Sequence, residues 1–404
     1  IEREIEDQVN DADSAEAYTF DGMDLGAGAL SSAIWRARDP GVESSKAKRR
    51  LVAYTKGATR SYLMMRAFLR ARPGYNRAYV FNGRFGCTRG VFRACQAVPS
   101  METWTHERGA SVEKLSFYPG CLPHSRDHWR THAISRWEAA DPAEREKTGH
   151  AFFEERRRGQ AVSWHSFTAE QRADLLPDGF DPSRTNVVIF NSSEDEFVGL
   201  GPEWKNPVYP MQSSGVSRVV VDMLKQAPEM RFYLRMHPNL RGVENRDVVA
   251  LRALAAQGLP NFSLIEADSK ISSYALLDVA SHVLAFGSTM GVEASFWGKS
   301  SIMAGHAFYE GLDAVHEAPD HETVLRWLLA PPPPKDPLGA LKYGYYARTH
   351  GSPFQYWRAD GFLSGTYRGH SLRAEPRSWL LRRLKVGWMD LGHALRGRGK
   401  NAAA

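Results

Sequence analysis

"YLRMHPNL", residues 233–240, decides how the second half of this chain is read. Apolar, β-prone Phe232, Tyr233 and Leu234 stop abruptly at Arg235, His237 and Pro238. A strand that ends in a cation, an imidazole and a ring-locked proline delivers polar groups at one point and in one direction. Upstream, "NVVIF" (186–190) reads as another strand, followed by an amphipathic helix over 213–227. Downstream come a helix over 245–258, a strand over 262–266, a short helix over 272–280 and the strand "HVLAF" (282–286). A helix over 291–298 and a strand over 300–304 complete the series. Short apolar strands alternating with helices predict right-handed crossovers and a parallel sheet covered on both faces. The second half reads as a Rossmann-like unit.

The first half repeats this grammar less regularly. "RAYVFNG" (77–83) reads as a strand, 88–97 as a helix and "METWTHE" (101–107) as a strand. Long helical stretches cover 44–71 and 124–160. The Pro, Gly and Asp of "LLPDGFDPSRT" (175–185) mark a join. "PPPPKDP" (331–337) ends the second unit, because proline neither continues a helix nor donates to a sheet ladder. The expected organisation is therefore a first domain over 1–180 and a second domain over 181–330. The aromatic segment 331–370 would pack back across the junction, and a basic amphipathic tail would follow over 371–404. The fold class is α/β, with two Rossmann-like domains facing a cleft at the carboxyl ends of their sheets.

Composition narrows the function. With 404 residues, 43% hydrophobic and 24% charged, the chain has the make-up of a soluble protein with more than one domain. No apolar run nears the ~20 residues that span a bilayer. Residues 1–17 lack the basic start and apolar middle of a signal peptide, and read as a disordered lead containing Asp11 and Asp13. Cys87, Cys95 and Cys121 form no disulfide framework and fit a reducing, cytoplasmic setting. Residues 371–404 carry eight basic and two acidic side chains, which accounts for the whole net charge of +6. A neutral body argues against a nucleic-acid partner. The tail has the composition of a helix on an anionic membrane surface, and equally that of one packed on the body.

In an open parallel sheet the ligand sits beyond the carboxyl ends of the strands. One such end runs into Asn191, Ser192 and Ser193, the next into Arg235, His237 and Pro238, with Arg241 beyond. A third runs into Gly287, Ser288 and Thr289, then a helix carrying Glu293. Backbone N–H groups and hydroxyls at a helix start suit a phosphate, helped by the helix dipole. His237 and an arginine would add opposing charge, and Glu293 would accept from ribose hydroxyls or a base. Each residue alone has an ordinary structural explanation; their joint placement favours a site.

These motifs resemble a known family. "LRMHPNL" (234–240) followed by "LAFGSTMGVEASFWGKSSIM" (284–303) is similar to bacterial capsule and surface polysaccharide glycosyltransferases, a GT-B group that includes Kdo transferases. "YVFNGRF" (79–85) and "IFNSSEDEF" (189–197) resemble further segments, so the likeness covers about residues 75–360. Similar His-Pro and Ser/Thr motifs in bacterial sialyltransferases bind the phosphate of a CMP-sugar. The resemblance implies that His237, Ser288 and Thr289 contact the phosphate of a nucleotide-sugar donor, with a CMP-Kdo-like donor favoured. The His-Pro element also resembles that of CDP-glycerol polymerases, which leaves the donor open. It further implies a glycan or glycolipid acceptor on the first domain, and a carboxylate there as general base. Asp21, Asp24 and Glu107 are the candidates, with Asn82 and Arg84 placed to hold the acceptor.

Other signals are weaker. His124, His128 and His132 recur at a spacing of four, but Arg126 and Arg130 would repel a metal, and none is expected. Glu194, Asp195 and Glu196 after a strand superficially resemble the acidic motif that holds a divalent metal in GT-A enzymes, and a helix's first turn explains them equally well. There is no P-loop, dinucleotide fingerprint or nucleophile elbow, and no cofactor is expected. The expectation is a metal-independent glycosyltransferase peripheral to the inner face of a bacterial membrane. The alternatives are a GT-B nucleotide-sugar epimerase and a non-catalytic glycan-binding subunit of an export complex.

Overall fold

The computed structural model describes residues 1–42, 45–160, 170–206, 208–360 and 364–372. Apart from its first two residues, the tail expected over 371–404 lies outside the described residues. The first half begins with helices α1 (Glu2–Gln8), α2 (Ala12–Ala17), α3 (Leu25–Ala37) and α4 (Ser45–Ala71). Strand β1 (Arg77–Phe81), helix α5 (Gly86–Gln96), strands β2 (Glu102–Arg108) and β3 (Lys114–Pro119), and helices α6 (Arg126–Ala139) and α7 (Pro142–Arg157) follow.

The opening residues are not a disordered lead. Asp11 and Ser14 form a reciprocal capping box at the start of α2, with Ser14 N donating to Asp11 Oδ1 at 2.8 Å. Ile5, Val9, Ala15 and Tyr18 are buried against Leu30, Ile34 and Leu51. Four apolar side chains in a polar stretch suffice once α3 and α4 supply a surface, and a composition count cannot see that surface. Gly26 permits the contact: a Cβ there would stand 1.8 Å from the Ala15 carbonyl oxygen. Gly26→Ala is expected to push α2 off its seat and cost about 1–3 kcal/mol, read by denaturant titration.

The second half contains β4 (Asn186–Asn191), α8 (Gln212–Gln226), β5 (Arg231–Arg235), α9 (Arg246–Ala256), β6 (Phe262–Ile265) and α10 (Ser273–Val279). It continues with β7 (His282–Phe286), α11 (Met290–Phe296), β8 (Ser301–Met303), β9 (His316–Glu317), α12 (His321–Leu329) and α13 (Leu338–Thr349). Its strands lie in the order β6-β5-β4-β7-β8-β9 and all run parallel. Every residue of β4 and β7 is buried, as a strand covered on both faces requires. Val187, Ile189, Phe232 and Leu234 pack with Val216, Val220 and Leu251 of α8 and α9. Val188, Phe190, Tyr233 and Val283 pack on the other face with Leu276, Leu277 and Ala294. The strand order reverses between β4 and β7, and that reversal opens a crevice at their carboxyl ends.

The first sheet is smaller and mixed, in the order β1-β2-β3-β10, where β10 is Ser352–Pro353. Only β1 and β2 are parallel, joined through α5; β3 and β10 add antiparallel edges. Helix α7 precedes the 175–185 join yet packs on the second half. Its Phe152 and Phe153 share a core with Val292, Met303, Tyr343 and Tyr346, and Phe153 stacks on Phe296 at 4.1 Å. Three short strands, β11 (Trp357–Ala359), β12 (Gly365–Tyr367) and β13 (His370–Ser371), form a separate antiparallel sheet.

Candidate functional site

Three strand ends meet at the crevice, and Asn191 joins them. Its backbone bridges to Gly287, and its side-chain oxygen accepts the His237 N–H at 2.9 Å. Gly287 has φ +68°, and a Cβ there would stand 3.0 Å from the His306 carbonyl oxygen and 3.1 Å from Ser192 Oγ. Glycine suits both: it adopts that turn without strain and leaves room for that approach. Ser192 Oγ accepts from Gln212 Nε2 at 2.6 Å, which ties the β4 end to the start of α8.

His237 opens the short turn Pro238–Leu240 and caps it, with Nδ1 accepting from Asn239 N at 3.1 Å. Burial, then the charges of Arg235 and Arg156, push its imidazole down to about 4. A neutral ring whose Nδ1 accepts carries its proton on Nε2, so His237 offers a hydrogen-bond donor and no charge. Ser288 is buried, and its Oγ accepts from Met290 N at 3.3 Å. Thr289 Oγ1 accepts from Arg156 Nη2 at 3.2 Å. The helix behind them, α11, has seven residues, so its dipole is small and side-chain groups must supply most of the pull on an anion.

Beside this cluster a cleft of about 520 Å³ runs between the halves. Asp13, Glu16, Pro40 and Gly41 line one wall; Ser192, Glu194, Gln212, Arg246, Gly287 and His306 line the other. Burial, and then the neighbouring Asp247 carboxyl, push the Glu194 carboxyl well above the usual carboxylate range where it lines the cleft. The halves are clamped at the segment after β4. Arg38 donates to Asp195 at 2.5 Å and to the Asn239 carbonyl at 3.1 Å. Lys205 pairs with Glu16 at 2.7 Å.

Several nominated side chains turn out to be engaged elsewhere. Arg235 is buried and donates to the carbonyls of Glu266, Ser269 and Met236. Ser193 Oγ donates to Asp195 and accepts from Arg38. Glu293, expected to meet a ribose or base, is fully buried and accepts from Arg156 at 2.8 Å and from Tyr274 OH. Arg84, expected to hold the acceptor, is buried and donates to Ser31 Oγ at 2.7 Å and the Glu196 carbonyl at 2.9 Å, bridging the halves. Asp21 accepts from Tyr62 OH at 2.5 Å. Asp24 accepts from Arg89 at 2.9 Å and from Arg93 at 2.5 Å. Burial alone would raise its carboxyl, but the Arg93 hydrogen bond and both arginine charges outweigh that and hold it below the usual range. Asn82, at φ +57°, donates to Glu107 at 2.7 Å, so these two candidates stand together at the end of the first sheet.

His124 precedes α6 instead of sharing its face, while the His128 and His132 rings stack at 3.7 Å. Among the described residues no group of three or more His, Cys, Asp or Glu side chains is placed to hold a metal. No described helix is long and apolar enough to cross a membrane. Arg38 and Arg156 escaped the sequence reading, because nothing local separates them from other surface arginines.

Residues 202–323 match the family model for capsule polysaccharide biosynthesis proteins. The matched stretch contains both His237-Pro238 and Gly287-Ser288-Thr289, the motifs that carried the resemblance to capsule glycosyltransferases. Among curated proteins none matches the chain. Similar solved structures include the β-Kdo 2,4 transferase KpsC of Thermosulfurimonas dismutans, at 17% identity, covering 66% of this chain and 78% of that one, with a TM-score of 0.43. The β-Kdo 2,7 transferase KpsC of the same organism covers 69% and 78% at 17% identity, with a TM-score of 0.40. The MnaA–UDP complex of S. aureus covers 81% and 90% at 10% identity, with a TM-score of 0.31. Within the capsule-biosynthesis stretch, both motifs lie at the carboxyl edge of one parallel sheet.

Proposed function

We propose that this protein is a glycosyltransferase of bacterial capsule or surface polysaccharide synthesis, moving a sugar from a nucleotide-activated donor to a growing glycan or glycolipid. The observation that carries the reading is the joining of three strand ends through Asn191 at a crevice beside a cleft large enough for a nucleotide sugar. The family match over 202–323 supports the pathway, and the His-Pro and Gly-Ser-Thr motifs favour a CMP-Kdo-like donor. The departing phosphate would be met by His237 Nε2–H and the hydroxyls of Ser288 and Thr289, without a metal ion in that role. Glu107 is the better-placed base among those considered, because Asp24 is held by two arginines. A cytoplasmic setting with the basic tail on an anionic membrane belongs to the same proposal.

The test is thermal stability of the purified protein with CMP, CDP, UDP and GDP at millimolar concentration. A cytidine-selective rise of several degrees is expected, because a ligand that binds only the native state stabilises it. A rise with UDP or GDP alone would keep the transferase and discard the Kdo-like donor. No rise with any of the four would overturn the donor site.

A further inference from the structure

We propose that Arg156 is the residue through which the first half of the chain grips the donor's phosphate at the Gly287–Thr289 loop, and that Glu293 is the positioning residue that aims it. The inference rests on the donor-site reading above and assigns that site a cation from outside the second sheet.

Arg156 lies in the last turn of helix α7 and reaches across to the loop after β7. Nε and Nη2 donate to Glu293 Oε1 at 3.0 and 2.8 Å, and Nη2 also lies 3.2 Å from Thr289 Oγ1. Two nitrogens on one carboxylate oxygen fix the direction of the planar guanidinium, and a tyrosine hydroxyl, Tyr274 OH, holds the carboxylate from behind. Glu293 is fully buried, whereas the Arg156 side chain remains 32% exposed. The buried member is therefore the holder, and the member that reaches solvent is the cation.

A purely adhesive role fits poorly. Helix α7 is already sealed to α11 by Phe153 stacking on Phe296 and by the core containing Phe152 and Val292. A buried ion pair contributes little to adhesion beyond what apolar residues of the same size would give. It does keep a delocalised charge fixed beside a hydroxyl where negative charge would grow on the leaving phosphate. With α11 only seven residues long, the loop needs such a charge.

Removing Arg156 alone would strand the Glu293 carboxylate in the interior, so the informative variant is Arg156→Gln with Glu293→Gln, which removes both charges. The measurement is affinity by calorimetry for whichever of CMP, CDP, UDP or GDP stabilises the wild type, beside the matching nucleoside without phosphate. The double variant is expected to fold, to bind the nucleotide at least tenfold more weakly, and to bind the nucleoside as the wild type does. Glu293→Gln alone, which keeps the cation but loosens its aim, should weaken the nucleotide by a smaller factor. Equal nucleotide affinity in wild type and double variant would overturn the role of Arg156 and leave the donor site standing. A wild type that binds no nucleotide would overturn both. Equal losses for nucleotide and nucleoside would reduce Arg156 to a structural strut and overturn the assignment.

Discussion

His237→Ala is expected to lower kcat/KM for sugar transfer by about 100-fold, the usual effect of removing one donor aimed at a developing oxyanion. The ring is neutral at assay pH, its Nδ1 is occupied by the Asn239 N–H, and the proton therefore sits on Nε2. His237→Asn separates this role from the structural one. Asparagine is a good cap and keeps an acceptor for Asn239 N, but it is too short to replace Nε2. Its melting temperature should stay near that of the wild type while transfer falls as far as in the alanine variant. Recovery of most activity in His237→Asn would show that only the cap matters. The pH dependence follows from the same shift. The folded ring titrates near 4 and a free imidazole near 6.5. Its contribution to stability is therefore full above about 6.5 and is lost as pH falls toward 4. Between pH 7 and 8 the rate should carry no His237 inflection.

Asp24→Ala is expected to destabilise the protein by about 3 kcal/mol while leaving the chemistry of the folded fraction intact. Arg89 is 1% exposed and donates otherwise to the Leu200 carbonyl, a neutral group, at 3.4 Å, so loss of Asp24 strands a buried cation. Asp24 itself is 36% exposed, which places the figure at the lower end of the range for broken buried pairs. Denaturant titration gives the stability, and initial rates corrected for the folded fraction give the activity. A rate loss of 100-fold or more with unchanged stability would return Asp24 to the role of base. Because its carboxyl is held below the usual range, its share of stability is present above about pH 4 and is lost on further acidification.

Strands β4, β5, β7 and β8 were legible because each is a short, largely apolar run whose burial on both faces leaves no alternation to confuse, whereas β9, two polar residues, leaves no such run. The ends of β4, β5 and β7 were legible for the same reason: chemistry follows where the apolar run stops. Strand β3 was missed. Its "KLSFYP" alternates weakly, and its pairing with β2 is antiparallel, outside the β-α-β pattern. Asp24 reads as a site residue because it lies in the glycine-rich turn "FDGMDLGAG", and Arg84 because it follows the first strand. Their partners, Arg89, Arg93, Ser31 and the Glu196 carbonyl, are supplied by other elements.

The sequence by itself determined the Rossmann-like second half, its strand ends, and the His-Pro and Gly-Ser-Thr motifs, because all of these follow from local periodicity and from chemistry within a few residues. Tertiary structure alone decided which charges meet there. Arg156 and Glu293 are separated by 137 positions, and Arg38 and Asp195 by 157. A guanidinium's partner is fixed by which helix packs against which sheet edge, and residues so far apart leave no local pattern from which that packing can be read.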